Sequence, residues 1–452
     1  MLPWSRFFVR RCARFRWTCS GRAFAALLAL TLLPVARVDG AYSGAPSSAE
    51  SLQGNAIGAR VLLIVADDIG AELFDEAIAA GRAPAMAELQ SQGVRFTRFW
   101  SAPVCSPSRA RIESGLDAYR TGNLCGALTH WNSTYAGPSS KWIGEGLPGR
   151  RTRRGKWHMT GSAPMPALAL RGYDEFSGSH GNLNQQVDPQ HVSTNYYSWW
   201  KHDTHAPLLH CLTFATNDTF ADVSADLDLG IEFIYASPNA IHKPTLPPPP
   251  DDEPPGVDYF STMDVHEQQL QFLQHLDFRI GQVARKALDA GYVVILTADN
   301  GTSGAGKGGL HEDGLRTALI ICGRGVKQGL VSDRLVQETD LWATIRELRG
   351  ADFEGATDSL SFTDEFLLEP MRGAPRRDHL TCDVFPTNGV PPTWSNWDRA
   401  VRGERYKLIV TPTENELYDL DVDPDEADDL LTHPALTPEQ RAALSELRGW
   451  LR

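Results

Sequence analysis

Val61-Leu62-Leu63-Ile64-Val65-Ala66 runs straight into Asp67-Asp68-Ile69-Gly70. A continuous apolar run is what a strand buried on both faces of a parallel sheet requires. Carboxylates that follow such a strand emerge at its C-terminal end, where open α/β sheets place their ligands. The same design recurs at Val293-Val294-Ile295-Leu296-Thr297-Ala298, which leads into Asp299-Asn300-Gly301. Together the two strands predict an α/β fold, a mostly parallel sheet sandwiched by helices. They also gather Asp67, Asp68, Asp299 and Asn300 in one crevice, an oxygen set suited to a hard divalent cation such as calcium or magnesium. Each acidic pair taken singly reads as a loop or helix cap; two matching strand ends select the metal.

Between these strands lies Val104-Cys105-Ser106-Pro107-Ser108-Arg109-Ala110-Arg111, continued by Ile112-Glu113-Ser114-Gly115. Ser106 suits an N-cap, Pro107 the first helical position and Gly115 a helix stop. Cys105 is thereby expected just before a helix N-terminus, where free N–H groups and the dipole favour an anion. Arg109 and Arg111 are expected to add charge at the same spot. The plainer alternative is a small buried thiol ahead of an ordinary helix. Cys105 and Arg111 also satisfy Cys-x5-Arg, the phosphate cradle of cysteine phosphatases. Against that cradle, Pro107 removes one inward N–H and Arg109 is bulky.

The 452 residues, 42% hydrophobic and 22% charged, suffice for one large core and a smaller second one. Residues 1–22 carry six arginines and no acid, and an apolar run from Ala23 to Ala36 follows. This reads as a secretory leader over 1–40, too short in its apolar part for a membrane span. An uncleaved anchor is the alternative, and Arg10-Arg11 hints at a twin-arginine signal. Seven Arg and one Asp leave with that leader, taking the net charge from −13 to −19. So acidic a body excludes nucleic acid as a partner and calls for a local basic site to draw any anionic substrate. Cys125, Cys211, Cys322 and Cys382 would remain beside Cys105, an even number that permits two disulfides in an exported protein. Asn132 and Asn217 stand in possible glycosylation sequons.

Residues 41–57 are small and polar, a flexible lead-in. Ala83–Gly93 reads as a helix and Val94–Phe99 as a strand. In Arg150-Arg151-Thr152-Arg153-Arg154-Gly155-Lys156-Trp157-His158, a strand would turn Lys156 and His158 to one face and Trp157 to the other. A lysine and histidine converging on one pocket suit anion clamping and proton transfer. The arginines before them read as an exposed edge or, preferably, a basic rim for a polyanionic substrate. Tyr196, Tyr197, Trp199 and Trp200 suit either core or a sugar-lining cluster. His202, His205 and His210 lack the Cys pair or Glu that would complete a zinc site.

Leu229–Ala236 reads as a buried strand leading to Ser237-Pro238-Asn239-Ala240-Ile241-His242-Lys243-Pro244, with His242 placed at its exit. Pro247–Pro250 and Pro254-Pro255 make a stiff loop. Tyr259–Ala290 has helical period. The Gly-rich run Gly301–Gly309 carries Lys307 but no Gly-x4-Gly-Lys-Ser/Thr, which excludes a nucleotide loop of that type. A strand is expected over Ala318–Cys322. Beyond about residue 370, short strands, turns and a helix over Thr437–Leu451 form a small C-terminal α+β subdomain (371–452) after a catalytic domain over 58–370.

The motif Cys105-x-Pro107-Ser108-Arg109 resembles the signature of the type I sulfatase (arylsulfatase) family of the alkaline-phosphatase superfamily. Asp67-Asp68 precedes it in the family's order. Gly155-Lys156-Trp157-His158, His242-x-Pro244, Asp299-Asn300-Gly301, Gly306-Lys307 and Glu312-x-Gly314-x-Arg316 follow it. Arg405-Tyr406-Lys407-Leu408 and Leu417-Tyr418-Asp419-Leu420 resemble the family's C-terminal subdomain. The resemblance covers roughly residues 58–430 and implies an alkaline-phosphatase-like fold.

It further implies that Asp67, Asp68, Asp299, Asn300 and the modified Cys105 hold calcium, with magnesium the alternative. A formylglycine-generating enzyme would oxidise Cys105 to formylglycine, whose hydrate attacks sulfur. Arg109 would steady the hydrate, and Lys156, Lys307 and His242 would bind the sulfate oxygens and assist the leaving alcohol. His158 would deprotonate the second hydroxyl. The implied substrate is a small-molecule or carbohydrate sulfate ester, met in the periplasm, outside the cell or in a lysosome-like compartment. The chain departs from the family at the arginines before Gly155, at Glu312-Asp313-Gly314, which lacks one glycine and a later proline, and around His242. Two other functions fit the residues: a phosphonate or phosphate monoester hydrolase of the same superfamily, and a non-catalytic sulfated-glycan-binding protein.

Overall fold

β1 (Val61–Ala66) is buried along its whole length, and its side chains divide by parity between two cores. Leu62, Ile64 and Ala66 pack with the helices Ala71–Ala79, Pro84–Ser91, Ala215–Asp228 and Val265–Asp289. Val61, Leu63 and Val65 pack on the other side with Ile112, Leu341, Trp342 and Phe366. A strand that buries alternate residues in different cores must lie inside a sandwich, which is why its sequence shows no polar alternation. In the computed structural model the described residues are 56–121, 141–159, 170–188, 190–249, 264–353, 358–370, 373, 375–385 and 397–451. The leader, Cys125, Asn132 and Pro254-Pro255 lie outside them.

The remaining strands are β2 (Gly93–Phe96), β3 (Phe99–Trp100), β4 (Arg151–Gly155), β5 (Glu175–Ser179), β6 (Trp199–Asp203), β7 (Ala206–Cys211) and β8 (Phe233–Ser237). They continue with β9 (Val293–Ala298), β10 (Leu319–Gly323), β11 (Leu330–Ser332), β12 (Val336–Gln337), β13 (Leu380–Val384), β14 (Asp398–Arg402), β15 (Tyr406–Val410) and β16 (Asn415–Asp419). Ten form one sheet in the order β11-β2-β10-β9-β1-β8-β4-β5-β6-β7. β9, β1, β8, β4 and β5 run parallel, whereas β10, β6 and β7 introduce antiparallel pairings. The expected mostly parallel α/β sandwich is therefore the fold.

A second sheet, β13-β14-β15-β16, is antiparallel and carries the helix Pro438–Trp450, whose Thr437 and Gln440 form a capping box. It joins the large sheet through buried charge. Lys407, fully buried, donates to Glu312 at 3.2 Å and pairs with Glu426 at 2.7 Å, while Arg402 reaches Glu312 at 2.9 Å. The two cations hold the Glu312 carboxyl down at about 2 against the opposing effect of burial.

The arginine run is where the sequence reading fails. β4 is a central strand, flanked on both sides by parallel partners, and neither an exposed edge nor a rim. Arg153 is fully buried, ion-paired with Glu113, and its guanidinium lies 4.3 and 4.7 Å from the Tyr235 and Trp157 ring centroids. On the opposite face Arg154 meets Asp226 at 2.7 Å and Glu175 at 2.9 Å. Arg151 pairs with Asp174 at 2.8 Å, and only Arg150 is largely exposed. Internal carboxylates on other elements do for this strand what apolar side chains do for its neighbours. Cys211, Cys322 and Cys382 are free thiols, so the two-disulfide framework is not formed among the described residues.

Candidate active site

β1 and β9 pair in register with Ala66 opposite Ala298, so Asp67 and Asp299 leave the sheet side by side. Asp68 follows at φ 66°, a left-handed turn that costs an aspartate roughly 1 kcal/mol and brings a second carboxylate into the same crevice. Its N–H donates to Asp299 Oδ1 at 3.2 Å, and Asn300 Nδ2 donates to Asp68 Oδ1 at 2.8 Å. All four side chains are buried.

Cys105 enters from below as the first residue of the helix Cys105–Ser114. The expected cap is two residues out of place: extended Val104 occupies the N-cap position, and Ser106 lies inside the helix. Gly115 closes it in the left-handed conformation at φ 65°, as its lack of a side chain allows. The thiol sits 3.4 Å from Asp67 Oδ1 and 3.4 Å from Lys307 Nζ. One ligand atom each from Asp67, Asp68, Cys105 and Asp299 lies within 4.8 Å of the others, and Asp68, Cys105 and His242 form an overlapping set.

Three cations answer the three carboxylates. Lys156 Nζ meets Asp67 Oδ2 at 2.5 Å, Lys307 meets Asp68, and Arg109 meets Asp299 Oδ2 at 2.7 Å. Arg109 also donates to Ser237 Oγ and to the Lys156 carbonyl at 3.3 Å. Burial opposes ionisation of Asp67, yet Lys156, His242 and Arg109 hold its carboxyl below the ordinary range. Burial and the neighbouring Asp67 push the Cys105 thiol far up, so an unmodified cysteine stays protonated.

Geometry removes the cysteine-phosphatase reading. Arg111 turns away from Cys105 to Glu338 at 3.2 Å, Asp117 at 3.3 Å and the Thr381 carbonyl at 3.1 Å. Of the two arginines expected at the thiol, Arg109 alone is there.

Lys156 and His158 reach the site from beyond β4. Gly155, at φ 93°, has no room for a Cβ, which would lie 2.1 Å from the Ser237 carbonyl. The chain turns there, and His158 follows at φ 53° instead of extending as strand alternation predicts. Trp157 packs on Trp142, with ring centroids 5.7 Å apart, and holds this turn from behind. Both His158 ring nitrogens are buried without a hydrogen-bond partner, and burial, Lys156 and Arg109 keep the imidazole neutral well below its usual range. Half-buried His242 uses Nδ1 as donor to the Lys243 carbonyl at 2.7 Å, leaving Nε2 for the crevice. Its backbone is fixed by Tyr196 Oη, which donates to the His242 and Asn239 carbonyls at 2.8 and 2.6 Å. Tyr196 and Trp199 are therefore core, while Tyr197 and Trp200 are partly exposed.

Sequence reasoning passed over Ser237, Asn239 and Glu338. Ser237 and Asn239 lie in the segment that flagged His242, but neither ionises and nothing marks them. Glu338 lies beneath the cysteine helix and accepts from Ser108 Oγ at 2.5 Å.

The donor set fits a hard cation on its own chemistry. Asp68 Oδ2 and Asn300 Oδ1 are buried acceptors without a donor, an arrangement that costs free energy unless a cation meets it. A divalent ion added to three carboxylates and three cations would leave a positive crevice, suited to a tetrahedral oxyanion.

The family model described as Sulfatase matches residues 59–351. Solved structures with the same fold include Ps i-CgsB in complex with k-i-k-neocarrahexaose, at 19% identity and TM-score 0.64, covering 87% of this chain and 92% of that one. A protein solved with its substrate D-glucosamine-2-N,6-O-disulfate is similar at 17% identity and TM-score 0.65, over 87% and 97% of the two chains. The PsFucS1 sulfatase from Pseudoalteromonas sp. is similar at 19% identity and TM-score 0.63, over 87% and 90%. A comparison with curated protein sequences found no match.

Proposed function

The chain belongs to the sulfatase family of the alkaline-phosphatase superfamily and is a sulfuric ester hydrolase, and from that premise we propose that it cleaves a carbohydrate sulfate ester with formylglycine at residue 105 and calcium in the crevice. The observation that carries this reading is the position of Cys105, pinned between an acidic oxygen cluster and Lys307 at the start of a helix. A thiol held protonated there is a poor nucleophile, so an unmodified Cys105 is ill suited to attack sulfur. Formylglycine supplies a geminal diol, one hydroxyl to attack sulfur and a second through which sulfate is later eliminated.

Asp67, Asp68, Asp299 and Asn300, with residue 105, would hold calcium, which supplies Lewis-acid polarisation of a sulfate oxygen. Lys156 and Lys307 are placed to stabilise charge growing on the equatorial oxygens. Arg109, clamped by Asp299 and Ser237, positions the attacking group and the acidic cluster. His242 offers Nε2 to the leaving alcohol. His158, neutral and unpartnered, accepts the proton of the second hydroxyl.

The sugar ligands of the two solved relatives support a carbohydrate substrate. A formylglycine-generating enzyme is the maturation partner, and the leader-like residues 1–40 support export. Among the described residues no helix is long and apolar enough to cross a membrane. Residues 58–370 would form the catalytic domain and 371–452 the C-terminal subdomain.

A panel of aryl sulfate, aryl phosphate and aryl phosphonate tests the reading. Sulfate hydrolysis lost in Cys105→Ala is the expected result. Preference for phosphate or phosphonate would move the chain to the rival hydrolase activity, and turnover neither of these esters nor of a sulfated glycan that still binds would move it to a binding protein.

A further inference from the structure

β5 runs parallel to β4, so the turn that follows it, residues 180–185, opens on the same side of the sheet as His158. The two are locked together. The His158 N–H donates to the His180 carbonyl at 2.8 Å, and a Cβ at Gly181 would lie 3.1 Å from His158 Cδ2. Asn239 Nδ2 donates to the Gly181 carbonyl at 3.2 Å, tying the turn to the segment that bears His242.

Polar atoms gather here without partners. Besides both His158 nitrogens, Asn182 Oδ1 and His202 Nε2 are buried and unbonded. His202 stands opposite Gly178 in the β5–β6 ladder, and its ring lies 5.8 Å from that of buried His180. The row continues outward to Trp200, two residues along β6 on the same face, held between His191 at 4.2 Å and His210 at 4.9 Å. Flat side chains and hydrogen-bonding groups thus lead from His158 to the surface. Burial, with His180 beside it, pushes His202 down to about 4, so it is uncharged at neutral pH. Uncharged donors and acceptors match hydroxyls better than a second sulfate or a carboxylate.

We propose that the turn after β5 and the facing strand β6 form the subsite for the alcohol part of the substrate, with His180, Asn182 and His202 binding sugar hydroxyls beside His158 and Trp200 contacting the next residue of an oligosaccharide. The subsite rests on the sulfatase reading and adds that the leaving alcohol is a hydroxyl-rich oligosaccharide rather than an aryl or singly sulfated monosaccharide.

The test compares 4-nitrophenyl sulfate with sulfated tetrasaccharides prepared from carrageenan, fucoidan and heparin. Wild type should show its highest kcat/KM on one of the tetrasaccharides. His202→Ala and Trp200→Ala should each lower the ratio of that kcat/KM to the aryl value about tenfold, mostly through KM. His202→Asn, which keeps a side-chain donor, should recover part of the loss. A wild type that prefers the aryl ester, or variants that lower both substrates equally, would overturn the subsite while leaving the sulfatase reading in place. Turnover of none of the four sulfates would overturn both.

Discussion

Arg153→Met removes a charge from the middle of the sheet and should be among the most damaging single changes outside the site. The guanidinium and the Glu113 carboxylate are both fully buried, and Arg153 is further enclosed by Tyr235 and Trp157. Methionine fills a similar volume and packs well against aromatic rings, so the loss is mainly electrostatic. Glu113 would be left buried as an anion with Tyr173 Oη, at 2.9 Å, as its remaining side-chain donor. Breaking a buried pair from one side costs about 3–5 kcal/mol. The tyrosine's hydrogen bond offsets part of that, which puts the expected loss at about 3 kcal/mol. Glu113→Gln should cost a similar amount by stranding Arg153. The double variant Arg153→Met/Glu113→Gln strands neither charge, so its loss should fall short of the sum of the singles by about 2 kcal/mol. Urea unfolding, read as a midpoint change at unchanged slope, measures all three. A single-variant cost below about 1 kcal/mol, or strict additivity in the double, would refute the claim that buried ion pairing makes this strand possible.

Other outcomes follow from the same electrostatics. Glu312 titrates at about 2 in the folded protein against 4.5 unfolded, so its contribution is complete above pH 4.5 and is lost as pH falls through the folded value. The amount is about 3 kcal/mol, and Glu312→Gln should flatten acid unfolding between those limits; an unaltered acid profile would contradict it. His158 must be neutral to accept a proton, and its lowered value means that it stays so as pH falls through 6.5. The acid limb of kcat should therefore lie below pH 6.5, and a limb at or above that value would contradict the role. Calcium at a hundredfold excess over its Kd should stabilise the protein by about 2.7 kcal/mol. Differential scanning should show Tm rising with calcium and falling with chelator, and Asp68→Asn should abolish most of the difference; a Tm indifferent to both would count against the site.

The parts legible in the sequence were those in which one element carries its own signal. β1 and β9 announced themselves because burial on both faces leaves no polar residue along them, and the acids that follow inherit their position from the strand ends. β4 hid because its partners come from elsewhere: Glu113 from the cysteine helix, Asp226 from the helix Ala215–Asp228, Glu175 from β5. Hydrophobic periodicity treats each arginine as solvent-seeking and has no means of seeing a carboxylate delivered from another segment. The same blindness sent Arg111 to the thiol, although Glu338 and Asp117 draw it the other way. Local conformation was the other limit. Positive φ at Asp68 and His158 belongs to residues that seldom adopt it, and only the crowding around Gly155 explains why the chain turns where it does.

The central claim is that residue 105 is a formylglycine. Peptide mass spectrometry on Cys105, in protein co-produced with a formylglycine-generating enzyme, tests it most directly. An aldehyde in place of the thiol, trapped by a hydrazide and matched by sulfate ester turnover, is the predicted result. A quantitatively intact thiol in protein that still hydrolyses sulfate esters would contradict it.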